Sequence, residues 1–481
     1  MNHESKHAES QGHRNRSIRL AVLTSILSKF GTVLLRLISI PIAIRVLGME
    51  EFGVYAAITT VVSMIDMMHV GIGPALTQGI AKALAKGDRE REQGVFATAV
   101  ILSAGLTLAA SFGLAMLVSL LPITTLFGEN FAPFADSMRR ACWIAIAIVT
   151  VELICVVVER ARDGYQETRY NNAWGAAGNF LGAAGLIIGV KLMPTVEFLV
   201  LALNGSIAIV KLANTIHMLV GRPYLWPKLS RFRRFLVKPL LFDGARFSVT
   251  YLLSAAVEYN AIAYLIGRLI GPEKVGLYNV MITVHFSLTG FIHMVTIPLW
   301  PAIVDAHSRG DAPWIRKSAH RIQLMGPAFG FLAAIGMVAF GPWAFPLWIG
   351  EDFSLGRPTL AVFGAYFTLH LWRHVNQVLL LGIGEVNYAV KVVIVESLTV
   401  LAVATMALSH GATLFGVYSG IAVCLALLSA WLYPLRFRKS MASWERDGVS
   451  PCADLRTPED LSGSSLDREG DPNSQLQAGA I

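Results

Sequence analysis

The sequence has few charged residues, and this scarcity argues against most classes of soluble protein. Charged side chains make up 15% of the 481 residues and hydrophobic side chains 54%, whereas about a quarter of an ordinary soluble domain is charged. The mean hydropathy is +0.56. These values argue against a soluble enzyme and predict a polytopic membrane protein.

Motifs of catalysis and of metal binding are also missing from the sequence. The cysteines have no metal or redox spacing, and no Walker A motif, Gly-x-Ser-x-Gly motif or paired Cys/His spacing occurs. No loop between apolar runs exceeds about twenty residues, so the chain has no room for a folded catalytic domain there. We therefore expect a protein that is not an enzyme and that uses no cofactor and no metal.

Long apolar runs dominate what is present. About twelve of them are long enough to span a bilayer as helices. They fall near residues 20–44, 52–78, 94–121, 140–159, 172–192, 197–220, 244–267, 275–300, 321–348, 358–382, 388–408 and 412–433. The net charge of +8 lies mainly in alternate short loops, so the positive-inside rule predicts that both termini are cytoplasmic. No basic soluble domain is present, and we expect no nucleic-acid partner.

A basic loop divides the chain into two halves of about six helices each. The domain boundaries expected from this pattern are a polar cytoplasmic segment at 1–19, an N-terminal lobe at 20–220, a basic cytoplasmic linker at 221–240, a C-terminal lobe at 241–435 and a disordered cytoplasmic tail at 436–481. The tail is expected to be disordered because its polar composition cannot bury enough apolar surface to order it.

One motif recurs after the first helix of each half. The stretch Arg45–Tyr55 is matched by Arg268–Tyr278, with Arg, Gly, Glu, Gly and Tyr at identical spacing. A weaker echo pairs Glu167–Tyr170 with Glu385–Tyr388. Six helices separate the copies, so both have the same orientation in the membrane. We predict an all-α fold of two pseudo-symmetric six-helix lobes around a central cavity, an architecture common in transporters.

Cations inside the apolar runs are candidates for substrate binding, because a charge at membrane depth is costly and normally faces a cavity. Lys29 and Arg36 lie seven residues apart on the first helix, nearly on one face, and Arg246 begins the seventh helix. One hypothesis is that they bind an anionic group, since arginine suits bidentate phosphate contacts. The alternative is that Lys29 and Arg36 snorkel or pair with Asp66 or Glu152, and that Arg246 is a topology signal.

Buried carboxylates are candidates for ion coupling. They are Asp66, Glu152, Glu258 and Glu396, in the second, fourth, seventh and eleventh runs. One hypothesis is that at least one of them exchanges H⁺ or Na⁺ during transport, because a buried carboxylate without a partner readily takes up a cation. The alternative is that each carboxylate neutralises a nearby cation in the bundle.

A polar stripe marks the tenth run. His370, Arg373, His374 and Gln377 follow the spacing i, i+3, i+4 and i+7, which places them on one helix face. Contacts of His370 and Arg373 with the hydroxyl groups of a sugar are one interpretation. A hydrogen-bonded seam between helices is the other.

The first two helices carry a distinctive set of residues. The set comprises Ser25-x-x-x-Lys29, Pro41, Leu47-Gly48-x-x-x-Phe52-Gly53-x-Tyr55, Asp66 and the run Gly71–Ala81. It resembles the opening of the polysaccharide-unit flippases, the Wzx-type translocases of O-antigen and exopolysaccharide units. These belong to the multidrug/oligosaccharidyl-lipid/polysaccharide exporter (MOP) superfamily. The span count and the parallel halves extend the resemblance over about 20–435.

The resemblance implies a V-shaped molecule with a cationic cavity in the inner membrane. Such proteins move an undecaprenyl-pyrophosphate-linked oligosaccharide to the periplasmic leaflet by alternating access. Lys29, Arg36 and Arg246 would then meet the pyrophosphate and anionic sugars. The implied partners are the lipid-linked oligosaccharide and membrane lipid, with H⁺ or Na⁺ as candidate coupling ions. A polysaccharide polymerase and a chain-length regulator are further candidate partners.

Two other functions compete with a flippase. A drug or cation antiporter of the same superfamily would need an acidic cavity for its cationic substrates, whereas the first helix carries two cations and no acid. A membrane enzyme of polysaccharide assembly would need a large extracytoplasmic loop or clustered catalytic side chains at the membrane surface. The short loops and the repeated halves favour transport instead.

Overall fold

The computed structural model describes residues 37–66, 72–189, 191–243, 252–350 and 355–447, together with positions 31, 33, 35 and 353. Over these residues the regular secondary structure is helical, and no β-strand is found. The predicted all-α fold is therefore confirmed. Its helices are long because the apolar runs between the loops are long.

The first half contains eight described helices, and two of them share a single apolar run of the sequence. The eight helices are α1 (Leu37–Leu47), α2 (Met49–Asp66), α3 (Ile72–Lys86), α4 (Arg89–Leu120), α5 (Ile123–Phe127), α6 (Ala135–Gly164), α7 (Thr168–Gly189) and α8 (Val196–Gly221). The apolar run expected at 52–78 comprises α2 and the beginning of α3, with residues 67–71 outside the described residues. A π-helical turn, Leu201–Gly205, interrupts the regular winding of α8.

Two further π-helical turns, Pro239–Asp243 and Ala256–Ala261, precede the helices of the second half. The helices that follow are α9 (Ile262–Leu269), α10 (Pro272–Ser308), α11 (Ala312–Ile349), α12 (Arg357–Gly382), α13 (Val386–Ser409), α14 (Leu414–Leu427) and α15 (Ser429–Asp447). The boundary expected at residue 436 lies inside α15. This helix continues because Phe437, Met441 and Trp444 are buried against the core of the second half. Residues 448–481 lie outside the described residues.

Several helices match the dimensions of a bilayer. Seven segments of the described chain are long and apolar enough to cross a membrane. Large apolar side chains such as Phe112, Leu332 and Trp343 are exposed on them, as expected where lipid replaces protein as the packing partner. The chain is therefore a multi-pass membrane protein.

The basic segment 221–240 is fastened to the first half. It forms short 3₁₀ turns that lie against the beginning of α4. The Arg233 guanidinium contacts Glu90 at 2.7 Å, and the Arg233 backbone N–H donates to the Thr98 hydroxyl at 2.9 Å. The segment therefore packs against the surface of the first half and is not a free linker between the halves.

The weaker repeat has the same structural role in both halves. Glu167 accepts from Arg222 at 2.7 Å, and Glu385 is paired with Arg436 at 2.9 Å. In each half the carboxylate follows the fourth apolar run, and the arginine lies just after the sixth. The hydrogen bond to Glu167 raises the pKa of the Arg222 guanidinium. The repeat therefore ties together the same two ends of each half.

The two copies of the longer repeat pack against each other. A Cβ atom added at Gly53 would lie 1.8 Å from the Pro272 carbonyl oxygen, and one at Gly276 would lie 3.0 Å from that of Met49. Met49 corresponds to Pro272 in the alignment of the copies, and Gly53 corresponds to Gly276. Each glycine thus lets its helix approach the backbone of the other half, and the contact is reciprocal.

The repeated arginines extend this reciprocal interface. Arg45 Nε donates to the Ile349 carbonyl at 3.1 Å, at the end of α11. Arg268 Nη1 donates to the Thr125 and Leu126 carbonyls of α5 at 2.7 and 3.5 Å. At the offset that relates the two arginines, Leu126 corresponds to Ile349. Each arginine therefore satisfies carbonyl groups at the end of a helix in the opposite half.

Candidate functional site

A cavity of about 570 Å³ lies between the two halves. The first half contributes α1, α2, α7 and α8 to its wall, and the second half contributes the segment before α9 and the first turns of α10. The reciprocal interface adjoins it, because Phe52 and Tyr55 line the cavity on either side of Gly53. The central cavity expected from the repeated halves is therefore present.

The described wall of this cavity is polar without being charged. Its polar residues are Ser39, Tyr55, Thr59, Thr60, Ser63, Asn179, Asn204, Tyr259, Asn260, Asn279 and Thr283. None of the lining residues that the structure describes is Asp, Glu, Lys, Arg or His. Reasoning from the sequence missed this set because it searched the apolar runs for charge. The only available signal was the recurrence of asparagine, an uncommon residue in a helix surrounded by lipid.

The cations predicted to bind substrate lie outside the described residues. This applies to Lys29, Arg36 and Arg246, whose proposed role stays a prediction. Asp66 is the last residue of α2, and its side chain is likewise outside the description.

A buried cluster of charge lies in the second half. It joins Arg373 of α12 to Glu258, on the turn before α9, and to Glu396 of α13. The Arg373 guanidinium contacts both carboxylates, at 2.7 Å in the case of Glu396, and these three side chains are at most 4% exposed. His370 Nδ1 lies 2.9 Å from Arg373 Nη2 and 3.5 Å from Glu258 Oε2. Residues predicted for two separate tasks, substrate binding and ion coupling, thus meet in one place.

Aromatic residues surround the cluster and connect it to the cavity. The Tyr366 hydroxyl donates to Glu258 Oε2 at 3.1 Å, and the Tyr278 hydroxyl donates to the Glu258 backbone carbonyl. Next to Glu258, Tyr259 lines the cavity, and its hydroxyl lies 2.9 Å from Nε2 of His285. The Ala256–Ala261 turn therefore presents one face to the cavity and the other to the charged cluster.

The charges of this cluster do not balance. Two carboxylates face one guanidinium, which leaves one formal negative charge if both are ionised. A buried charge is costly unless it is paired, so a bound proton or other cation would stabilise the cluster. The role of Glu258 and Glu396 in ion coupling stays a prediction.

The other predicted residues are separate from this arrangement. Glu152 lies on α6 in the first half. On α12, His374 Nε2 lies 3.1 Å from the Thr296 hydroxyl of α10, and Gln377 is buried. The polar stripe of α12 thus includes contacts between helices, and none of its members is among the described cavity-lining residues. Contact of His370 and Arg373 with sugar stays a prediction.

Comparison with known proteins connects this architecture to a family. The profile of the family described as "Polysaccharide biosynthesis protein" matches residues 21–307, more than half of the chain. The chain belongs to this polysaccharide biosynthesis family. The resemblance predicted from the first two helices is confirmed.

Two relatives of this polysaccharide biosynthesis protein are named as transporters. A protein of Escherichia coli (strain K12), named as an O-antigen transporter, is 23% identical over 340 residues, which cover 66% of this chain and 74% of that protein. The succinoglycan biosynthesis transport protein ExoT of Rhizobium meliloti (strain 1021) is 36% identical over 124 residues, covering 26% of this chain and 22% of that protein.

The fold of the chain is similar to that of a solved transporter of the MOP superfamily. The inward-facing structure of a multidrug resistance MATE family transporter aligns with a TM-score of 0.73. The alignment covers 89% of this chain and 100% of that one, at 16% sequence identity. At this identity the likeness concerns the fold alone. It confirms the predicted polytopic architecture.

Proposed function

We propose that this polysaccharide transporter is a flippase that moves undecaprenyl-pyrophosphate-linked oligosaccharide units across the inner membrane. The observation that carries the proposal is the cavity of about 570 Å³ between the halves, with hydroxyl and amide groups in its wall. An oligosaccharide needs such partners when it leaves water, because an unpaired polar group is costly in an apolar surrounding. The lipid tail would stay in the bilayer.

Arg36, Lys29 and Arg246 would bind the pyrophosphate in this proposal. Arg36 follows the cavity residue Leu35 and precedes Ser39 and Ile40, which also line the cavity, by three and four residues. On the helix predicted from the sequence, residues at those spacings share a face. Arginine also suits phosphate because its planar fork donates two parallel hydrogen bonds.

Alternating access would use the reciprocal interface as its outer closure. The positive-inside bias of the loops predicts that this end of the molecule is extracytoplasmic and that both termini are cytoplasmic. Substrate would enter from the cytoplasmic side, and the Gly53–Pro272 and Gly276–Met49 contacts would part to release it. A polymerase and a chain-length regulator would then act on the exported units.

The charged cluster would couple this movement to an ion. Glu258 and Glu396 exceed the charge of Arg373 by one, so H⁺ or Na⁺ binding would change the stability of the second half. Tyr259 would carry that change to the cavity wall, which it lines beside Glu258. Asp66 and Glu152 are further candidate carboxylates.

Deletion and complementation test this function. In a strain that uses this chain, deletion should remove the surface polysaccharide and cause lipid-linked units to accumulate on the cytoplasmic side. Arg36→Ala should fail to complement although the protein remains in the membrane. Lys86→Ala, which removes an exposed cation at the end of α3, is the matched control and should complement. Continued surface polysaccharide without accumulation contradicts the flippase, and full rescue by Arg36→Ala removes this residue from the site.

A drug or cation antiporter is the second candidate, because a multidrug transporter has the same fold. Its cationic substrates would need a carboxylate in the cavity. Among the cavity-lining residues within the described ranges there is none. The neutral wall therefore favours the oligosaccharide.

A further inference from the structure

We propose that the cavity binds an uncharged sugar of the transported unit and that four asparagines select it. They are Asn179, Asn204, Asn260 and Asn279. This inference rests on the proposed flippase function and adds the chemical class of the sugar that occupies the cavity. It assigns sugar recognition to amides rather than to the charged residues that the sequence singles out.

The asparagines surround the cavity from both halves. Asn179 lies on α7 and Asn279 on α10. Asn204 and Asn260 lie on two of the described π-helical turns, Leu201–Gly205 and Ala256–Ala261, one in each half. Such turns are rare and occur often at functional sites, because the wider turn is less stable than regular helix. Both wide turns of the cavity wall thus present an asparagine to the same space.

At least three of these amides have hydrogen-bonding capacity left for a ligand. No side-chain hydrogen bond of Asn204 or Asn279 is found in the described part of the chain. Asn260 Oδ1 accepts from the Ser63 hydroxyl at 2.6 Å, which fixes the amide while its N–H groups are not used by that contact. A polar group in a membrane protein is costly unless water or a ligand satisfies it. These amides are therefore available to form hydrogen bonds with a polar ligand.

The chemistry of the amide side chain indicates which class of ligand the cavity binds. An asparagine side chain both donates and accepts hydrogen bonds, which matches sugar hydroxyl and acetamido groups. It cannot neutralise a carboxylate. The cations proposed to bind the pyrophosphate would already be engaged by that group, so a carboxylate of the sugar would lack a cation in this cavity, which is costly. The cavity volume of about 570 Å³ lies within the range of about 300–1,000 Å³ typical of small-molecule sites. A neutral hexose or N-acetylhexosamine fits these conditions, whereas a uronic acid does not.

The test uses purified protein in proteoliposomes and two fluorescent lipid-linked oligosaccharides with the same pyrophosphate and lipid. One carries a neutral hexose and the other carries a hexuronic acid at the same position. We expect the wild type to move the neutral unit at least about ten-fold faster, the factor that corresponds to about 1.4 kcal/mol. Asn204→Leu and Asn279→Leu should each slow the neutral unit, and Asn204→Lys should shift the ratio towards the acidic one. Asn387→Leu, at an exposed position of α13, is the control and should change neither rate.

The outcomes separate this inference from the proposed function. Movement of neither unit by the wild type contradicts the flippase itself. Movement of both units at equal rates, with a ratio that no asparagine variant alters, contradicts the neutral-sugar site and leaves the flippase standing. If the leucine variants fail to insert, Asn204→Asp keeps the shape of the side chain. It should slow the acidic unit more than the neutral one, and an unchanged ratio would count against the site.

Discussion

The two copies of the longer repeat share their backbone contacts and differ in the use of their tyrosines. Tyr55, in the first copy, lines the cavity. Tyr278, at the same position of the second copy, is fully buried, donates to the Glu258 backbone carbonyl and stacks on Tyr418 with ring centres 5.6 Å apart. The backbone contacts that join the halves are thus equivalent in the two copies, whereas the tyrosine side chains of the copies have different surroundings.

This divergence continues into the interior of each half. In the first half, α4 and α6 are joined by a neutral hydrogen bond of 2.7 Å between Ser111 and Thr150. In the second half, Arg373 holds two buried carboxylates, from the turn before α9 and from α13. A symmetric scaffold therefore encloses an asymmetric set of charges. In the proposed mechanism both halves take part in opening and closing, and the charged cluster makes the second half the first candidate for ion coupling, ahead of Asp66 and Glu152 in the first half.

The largest expected effect comes from Arg373→Ala. It leaves Glu258 and Glu396 buried without their cation, and breaking a buried ion pair in this way costs about 3–5 kcal/mol. The melting temperature of the purified protein should fall steeply.

Thr150→Ala, the control in the first half, removes the hydrogen bonds of its hydroxyl with Ser111 and with the Ile146 carbonyl. Each is neutral and worth about 1 kcal/mol, so the effect should be smaller. An equal decrease in melting temperature in the two variants would contradict the proposed difference between the charged interior of the second half and the neutral interior of the first.

A neutralised cluster separates stability from coupling. The combined variant Arg373→Met, Glu258→Gln and Glu396→Gln removes every formal charge of the cluster's ion pairs. It should recover most of the melting temperature, because a buried ion pair contributes little net stability relative to a neutral replacement. Transport driven by an ion gradient should be lost. If gradient-driven transport persists at the wild-type rate, the cluster has no coupling role.

An intermediate effect is expected from replacing the glycines at which the two copies of the longer repeat pack against each other. Gly53→Ala should be more harmful than Gly276→Ala, because its methyl group would meet the Pro272 backbone oxygen at 1.8 Å. At Gly276 the nearest atoms are the flexible Met49 side chain at 2.9 Å and the Met49 carbonyl at 3.0 Å. Overpacking of this kind costs about 1–3 kcal/mol, and it should push the halves apart.

The labelling of a cysteine at position 55 reports this separation. In a cysteine-free background with Tyr55→Cys, an impermeant maleimide applied from outside should react faster when Gly53→Ala is added. Gly105→Ala is the control, because no atom lies within 4 Å of its added methyl group. Slower or unchanged labelling in the Gly53 variant would show that the two copies do not form the closure.

The smallest effects are expected at the repeated arginines. Arg45→Ala and Arg268→Ala each remove hydrogen bonds to helix-end carbonyls in the opposite half, in partly exposed positions. Each should cost about 0.5–1 kcal/mol. Because the contacts are equivalent, both variants should increase the same cysteine labelling to a similar extent, and the lysine variants should increase it less. A response to only one of the two arginines would break the symmetry of the interface.

Some parts of the site were readable from the sequence as individual residues. Glu258, Glu396, Arg373 and His370 stand out because ionisable groups are rare in apolar runs. Their meeting in one cluster was not predictable, because helical spacing describes the face of one helix and not which faces of three helices meet. The asparagines were missed for a different reason, since an uncharged amide is not singled out by a search for ionisable groups in apolar runs.

The repeat shows the same limit. The offset between Arg45 and Arg268 predicts which positions correspond, and it anticipates that both halves have the same fold. It does not predict that corresponding positions touch, with Gly53 against Pro272 and Gly276 against Met49. That contact depends on how the two halves dock.

The sequence by itself determined that the chain is an all-α membrane protein built from two related halves and that it belongs with polysaccharide transporters. The length of the apolar runs, the charge of the loops and the repeated motifs are local properties, and they can be read directly from the sequence. Only the tertiary structure decided that the described cavity wall is neutral, that the charges gather behind it and that the two copies meet. These features depend on side chains from distant helices sharing one space.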